Sequence, residues 1–158
     1  MTAADRLRAT LVHAEPRLLA LANPATRPAT EAWSPQEVVG HLVDSAVNNV
    51  ARIVRGALGA PLVFEGYDQD AWVEAGRYAT ADWPALVGLW RGLNEQIART
   101  VDGIAPEALD RPHAEHSLDR IAWRVVPPDE PVTLRYIVDD YVGHLRHHLA
   151  AIDPALVD

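Results

Sequence analysis

Three histidines near the C-terminus are the residues in this sequence best suited to chemistry. His144, His147 and His148 lie in a segment, residues 141–152, whose apolar residues recur with a helical period. Residues four apart lie above one another on one face of a helix, so His144 and His148 could hold one metal ion together. His147 is rotated away from that line, although it could pair with His144 at a spacing of three. Two imidazoles make an incomplete site, and a further ligand has to come from elsewhere in the chain.

Composition limits which ligands and partners are possible. The chain has no cysteine, so a metal would have to be held by histidine, carboxylate or water. The net charge of -8 argues against a protein that follows nucleic-acid phosphates. No apolar run approaches the roughly 20 residues that cross a bilayer, and the first ten residues show no signal-peptide pattern. We therefore expect a cytoplasmic protein that acts on a small molecule, with no nucleic-acid or membrane partner.

A second histidine lies on a helix whose start is well marked. Ser34-Pro35-Gln36-Glu37 places a capping serine, a proline in the first turn and a glutamate at the third helical position. This pattern predicts a helix that runs to about Arg55. Beside its apolar face runs a second stripe that is polar and typical of a pocket wall: His41, Ser45, Asn48 and Arg52.

The other elements can be placed by the same signals. The sequence predicts helices at residues 4–22, 69–75, 82–103 and 133–152, with proline-rich irregular chain at 105–131. Pro16 could kink the first helix or delay its start. Residues 121–126 could pair as a short strand or lie against the helices. The fold expected is all-α: one domain over residues 1–158, an antiparallel four-helix bundle with a long irregular connection before the last helix.

Such a bundle would bring the histidines together. Sites in bundles are built in the core from side chains on facing helices. His144 and His148 share the apolar face of the last helix, and His41 from a facing helix could complete a three-histidine site with an open position. Imidazole ligands suit zinc, nickel and other borderline divalent ions. The alternative is that these are core histidines with ordinary hydrogen bonds.

Two stretches of the sequence resemble the DinB/YfiT-like superfamily. They are WSPQEVVGHLVDS at 33–45 and YVGHLRHHLAAI at 141–152; the segment 67–72 and the helix start at Thr133-Leu134 also fit its YfiT-type members. The resemblance implies a four-helix bundle with one divalent ion, usually zinc or nickel, held by His41, His144 and His148. His147 matches a position that is often histidine but is not a ligand. Since relatives often pair, a homodimer is possible.

The resemblance also implies a choice of reactions. Relatives include S-transferases that use bacillithiol or mycothiol, mycothiol-dependent maleylpyruvate isomerases, metal-dependent hydrolases, and damage-inducible proteins of unassigned chemistry. We expect a thiol S-transferase that acts on small electrophiles. The alternatives are a metal-dependent hydrolase and a non-catalytic metal-binding stress protein. In the two enzymes the catalytic group would be a thiol or a water bound to the ion, so the ligands alone cannot choose between them.

Several further residues are candidates for support of the site. Without cysteine, a nucleophilic thiol must come from a diffusible cofactor, whose carboxylates Arg52 or Arg146 could bind. Asp44 and Asp140, each one turn from a histidine, could accept a hydrogen bond from an imidazole or be ordinary surface carboxylates. Three residues of the second helix are predicted to line the pocket or, alternatively, to fill a helix contact or an oligomer interface: Ser45, Asn48 and Asn49. The residues predicted to contact the cofactor are Ser45, Asn48 and Arg52. Three histidines match no ligand position: His13, His113 and His116.

Overall fold

Four long helices form the protein. The computed structural model describes residues 1–157. The long helices are α1 (Ala3–Leu19), α2 (Pro35–Ala57), α4 (Trp83–Asp102) and α7 (Leu134–Ile152), and the short ones are α3 (Gln69–Gly76), α5 (Pro106–Leu109) and α6 (Leu118–Ile121). The prediction of an all-α four-helix bundle is confirmed.

Side-chain caps set where each long helix begins. Thr2, Ser34, Asp82 and Thr133 each accept a hydrogen bond from a backbone N–H of the first turn. At Ser34 the Glu37 carboxylate also accepts a hydrogen bond from the serine backbone N–H at 2.8 Å, which completes the predicted capping box. The first helix begins at Ala3, so Pro16, which lies in its last turn, does not delay its start.

Surface contacts define the direction of α1 relative to its neighbours. Ion pairs join Arg8 to Asp102 and Arg91 to Glu15, so the start of α1 meets the end of α4 and the two are antiparallel. Thr10 accepts a hydrogen bond from Arg146 of α7. Arg6, one turn earlier in α1, forms an ion pair with Asp139, which is also earlier in α7. α1 and α7 therefore run in the same direction.

The second helix lies between α4 and α7. Its early residue His41 meets the late residue His144, so α2 and α7 are antiparallel. Gln36 donates to the carbonyls of Tyr78 and Ala81 just before α4 begins, so α2 and α4 are parallel. The order around the bundle is thus α1, α4, α2, α7. α1 lies diagonally opposite α2, and α4 lies diagonally opposite α7, whereas α2 and α4 are neighbours.

Two connections cover the face between α2 and α7. The chain at 58–82, which contains α3, returns along α2, and the chain at 103–133 contains α5 and α6. They meet where Ser117 donates its N–H to the Leu62 carbonyl and exchanges side-chain hydrogen bonds with the backbone of Phe64. Within residues 1–157 only isolated bridges occur in place of strands. Of the two alternatives for residues 121–126, the segment lies against the bundle.

The core between the helices is apolar with one buried polar pair. Trp90, Leu42 and Leu145 are fully buried among aliphatic side chains. Tyr141 reaches across the diagonal and donates its hydroxyl to Asn94 at 2.6 Å, which satisfies both groups away from water. Among the helices described, none combines the length and the apolar character needed to cross a membrane.

Candidate metal centre

The structure brings His41, His144 and His148 together at one end of the bundle. His41 lies in the second turn of α2 and the other two lie in the second half of α7; because these helices are antiparallel, the two regions meet. One ring nitrogen from each of the three histidines lies within 4.8 Å of the others. The Nε2 atoms of His41 and His144 are 3.3 Å apart. This is the ligand set that the resemblance implies.

Burial keeps the three imidazoles neutral. Desolvation, followed by the neighbouring His148, lowers the pKa of His41 to about 4. Desolvation and the other histidines lower the pKa of His144 to about 3, and desolvation with His147 lowers that of His148 to about 4. At neutral pH each ring therefore offers a nitrogen lone pair, as a metal ligand must.

The donor set fits a divalent ion that accepts nitrogen ligands. Three neutral imidazoles without a carboxylate suit zinc, nickel or a similar borderline ion better than magnesium or calcium. His41 is fully buried, and its Nδ1 atom has no hydrogen-bond partner among the described residues. Its ring packs instead against Trp33, with 5.1 Å between the ring centroids. Packing thus sets the orientation of His41, whereas a hydrogen bond to the second ring nitrogen is the usual device at metal sites.

The two candidate carboxylates have other partners. Asp44 accepts a hydrogen bond from the Tyr78 hydroxyl at 2.6 Å, and burial raises the pKa of this carboxyl group. Asp140 accepts the backbone N–H groups of Trp123 and Arg124, both at 2.9 Å. Both carboxylates therefore accept hydrogen bonds from the connections that cover the site. Within residues 1–157 neither is bonded to a histidine.

A cavity of about 360 Å³ opens onto the histidines. It lies between α2 and α7 under the two connections, and its size falls at the lower end of the range for small-molecule sites. His144 and His148 line it, whereas His41 lies behind them in the core. His147 stands on its exposed side, with its ring 5.4 Å from that of Trp123. The centre thus faces a space into which a small molecule fits.

The polar stripe of α2 lines this cavity with one change from the prediction. Ser45, Asn49 and Arg52 line it, but Asn48, which we also predicted to line the pocket, does not. Asn48 turns back and donates to the Asp44 carbonyl. At 100° per residue, Asn48 lies on the Asp44 side of α2, while Asn49 lies beyond Ser45 towards α7.

The remaining candidates are tied elsewhere. Arg146 donates to Thr10 and to the carbonyl of Val157, between α7 and α1. His13 bonds to the Ala155 carbonyl, and His116 bonds to the Glu130 carbonyl inside the second connection. His113 pairs through its backbone with Val132 in the same connection. None of these residues lines the cavity.

Sequence reasoning missed most of the cavity wall that the connections supply. The missed residues that line it are Gly66, Tyr67, Gln69, Leu118, Arg120, Ile121, Ala122 and Trp123. Irregular chain has no periodicity that would show which side chains face inward. One usable signal was the tyrosine and tryptophan content of these connections, since large aromatic side chains in loops tend to be buried against something.

Comparisons with known proteins agree with this architecture. A family model described as the DinB superfamily matches residues 3–152. YfiT from Bacillus subtilis, described as a probable metal-dependent hydrolase with an unusual four-helix bundle topology, superposes with a TM-score of 0.78 at 21% identity, over 97% of this chain and 83% of that one. The mycothiol-dependent maleylpyruvate isomerase superposes with a TM-score of 0.70 at 12% identity, over 96% of this chain and 59% of that one. At these identities the likeness shows the fold. No curated protein matches by sequence.

Proposed function

The chain belongs to the DinB superfamily, and we propose that it is a divalent-metal-dependent enzyme that transfers a low-molecular-weight thiol to small electrophiles. The observation that carries the proposal is the cluster of three neutral histidines at the inner end of a cavity. His41, His144 and His148 would hold the ion, with zinc or nickel expected. When bound, such an ion lowers the pKa of a coordinated thiol or water and so supplies a nucleophile near neutral pH.

The residues around the centre support a site that shields its contents from water. Tyr67 and Trp123 come from the two connections and form the wall opposite α2 and α7. Burial raises the pKa of the Tyr67 hydroxyl, so this group stays neutral and can donate a hydrogen bond. Ser45 and Asn49 add short polar groups along α2. The cofactor contacts that we predicted for Ser45 and Arg52 are part of this proposal.

Thiol transfer is favoured because the carboxylate that lines the cavity, Asp140, is engaged in other hydrogen bonds. Hydrolysis of an ester or amide needs a residue that passes a proton to the leaving group. Asp140 is the carboxylate on the cavity wall, and its oxygens already accept two backbone N–H groups. A thiol that loses its proton on binding needs no such residue to attack an electrophilic carbon.

Hydrolysis is the second candidate, and His147 favours it. This imidazole lies beside His148, with 5.4 Å between ring centroids, and it lines the cavity. Its ring nitrogens make no hydrogen bond to the described residues, so it is placed to carry a proton between the cavity and solvent. YfiT, which shares this fold, is described as a probable metal-dependent hydrolase.

Thiol dependence separates these reactions. The zinc- or nickel-loaded protein is mixed with monochlorobimane, with and without bacillithiol or mycothiol. Transfer forms a carbon–sulfur bond and breaks the carbon–chlorine bond; chloride leaves and the thiol proton passes to water. We expect a rate increase that needs both the thiol and the metal and that His148→Ala removes.

The other outcomes choose between the alternatives. Turnover of a nitrophenyl ester without thiol, lost in His147→Ala, would support the hydrolase and contradict thiol transfer. Absence of both activities from fully metal-loaded protein would contradict both enzymes and favour a non-catalytic metal-binding stress protein. Sedimentation of the same samples measures whether the chain forms a homodimer.

A further inference from the structure

Arg52 is a buried cation on the wall of the cavity. It lies two helical turns after Ser45 on the cavity-facing side of α2, and it is only 9% exposed. Desolvation lowers the pKa of its guanidinium, which nevertheless stays charged at neutral pH. A buried charge is costly unless a partner of opposite sign or a full set of hydrogen bonds offsets the lost hydration.

The described residues supply little of that compensation. Arg52 donates one hydrogen bond, from Nη2 to the Glu65 carbonyl at 3.0 Å, although a guanidinium carries five N–H donors. The ring of Phe64 lies on one side of it, 5.9 Å from the central carbon to the ring centroid. Several other arginines pair with carboxylates, but within residues 1–157 no carboxylate lies within 4.0 Å of Arg52.

We propose that Arg52 is the receptor for a carboxylate of the molecule that enters the cavity. Its planar fork matches the two oxygens of a carboxylate, and pairs of this kind are among the strongest polar contacts in proteins. Glu65 and Phe64 hold the guanidinium in place, so little side-chain entropy is lost when the anion binds. The neighbouring Asn49 lies on the same wall, where its amide donates to the Ser45 carbonyl at 2.9 Å.

The position of Arg52 sets the shape of that molecule. Arg52 and His41 are separated along α2 by about 16 Å at a rise of 1.5 Å per residue, and the cavity wall between them includes Ser45 and Asn49. A molecule that touches Arg52 and also reaches His144 or His148 therefore extends along α2, with its carboxylate at one end and its reactive group at the other. This part rests on the proposed function, whereas carboxylate binding at Arg52 does not depend on a metal.

The other charged residues that line the cavity, Arg120 and Asp140, are less suited than Arg52 to bind a carboxylate. Arg120 also lines it, but its side chain is 70% exposed and lies 3.8 Å from the Asp119 carboxylate. Asp140 would repel an anion, yet its oxygens point to the backbone of the 122–124 segment. The cavity wall therefore carries one buried positive charge, Arg52, with no carboxylate partner among residues 1–157.

Binding of a matched pair of probes tests the receptor directly. Hexanoate and hexanamide have the same length and differ in charge, and calorimetry on the metal-free protein measures both. We expect hexanoate to bind at least about tenfold more tightly than hexanamide, because a hydrogen bond between two charged groups is stronger than one to a neutral amide. Arg52→Met should remove that preference, and Arg55→Met, an exposed arginine on the same helix, should keep it. Equal binding of the two probes to the wild-type protein would overturn the proposal.

Arg52→Lys covers the case in which Arg52→Met does not fold. Lysine keeps the charge but lacks the fork, so we expect hexanoate affinity to fall severalfold while the circular dichroism spectrum stays unchanged. Unchanged hexanoate affinity in this folded variant would overturn the bidentate contact.

A thiol-bearing probe separates this inference from the proposed function and identifies the source of the carboxylate. On cobalt-loaded protein, 6-mercaptohexanoate and 6-mercaptohexanol report thiol binding through a sulfur-to-metal absorption band. Tighter binding of 6-mercaptohexanoate, lost in Arg52→Met with the band retained, assigns the carboxylate to the thiol partner. A carboxylate preference seen with hexanoate but not with the thiol pair assigns it to the electrophile. Absence of the band with either thiol contradicts thiol transfer and leaves the result for hexanoate unaffected.

Discussion

Replacement of Asp140 by asparagine distinguishes the two roles that this carboxylate could have. In the structure its oxygens accept the N–H groups of Trp123 and Arg124 at 2.9 Å and thereby hold the second connection on α7. An asparagine side chain at this position would keep one acceptor and present an N–H₂ group to the other donor. A hydrogen bond to a charged group stabilises by about 1.5–3 kcal/mol. The loss of one such bond and the weakening of the other should lower the free energy of unfolding by about 2–4 kcal/mol.

The assay combines thermal unfolding with metal affinity. In a chain of this size 1 kcal/mol corresponds to about 2–4 °C, so Asp140→Asn should lower Tm by roughly 5–15 °C. The matched control is Asp139→Asn one residue earlier, because Asp139 forms a half-exposed ion pair with Arg6 that is worth about 1 kcal/mol or less. Metal affinity should change by less than about fivefold, since the loss of residues that orient ligands costs about 10–100-fold. An unchanged Tm together with a tenfold weaker metal affinity would refute this reasoning and restore Asp140 as an acceptor for His144.

Two further perturbations test the packing and the electrostatics of the centre. Gly40→Ala places a Cβ atom 2.2 Å from the ring of Tyr78, whose hydroxyl is held by Asp44. Urea titration should therefore show that the free energy of unfolding falls by about 1–3 kcal/mol. The control is Gly92→Ala, which has open space around the added Cβ and should not lower the free energy of unfolding. The metal-free protein should lose stability as the pH falls from about 6.5 towards 4, because the histidines with a folded-state pKa near 3 to 4 take up protons only on unfolding. With three such groups the slope approaches about 4 kcal/mol per pH unit, and urea unfolding that is flat between about pH 7 and 5 would contradict the burial of these rings.

The helices were predictable because their signals are local. Capping residues and apolar periodicity depend on neighbours within a few positions, so the starts at Ser34, Asp82 and Thr133 could be placed before the structure was known. The order of helices around the bundle could not, because the same apolar faces allow consecutive helices to pack side by side. The ion pairs that distinguish these arrangements join residues such as Arg8 and Asp102, which no local pattern connects.

In the candidate site, too, the residues with local signals were predictable and those that depend on the connections were not. Four-residue spacing separates His144 and His148 from His147. The expected bundle offers His41 as a third ligand from a facing helix, and the resemblance implies the same residue. Periodicity could not decide between Asn48 and Asn49, which lie on opposite flanks of one stripe, because the direction of the cavity depends on the two connections. The partners of Asp44 and Asp140 belong to those connections as well, and irregular chain leaves their positions open until the whole fold is known.

Metal content of single histidine variants tests the three-histidine centre most directly. The protein is loaded with zinc or nickel, passed over a desalting column, and analysed by mass spectrometry for metal per chain. We predict about one ion per chain in the wild-type protein and in His147→Ala, and loss of most of it in His41→Ala, His144→Ala and His148→Ala, with circular dichroism to confirm that each variant folds. Loss of the metal from folded His147→Ala together with its retention in His148→Ala, or full retention in His41→Ala, would contradict the assignment of His41, His144 and His148 as the ligands.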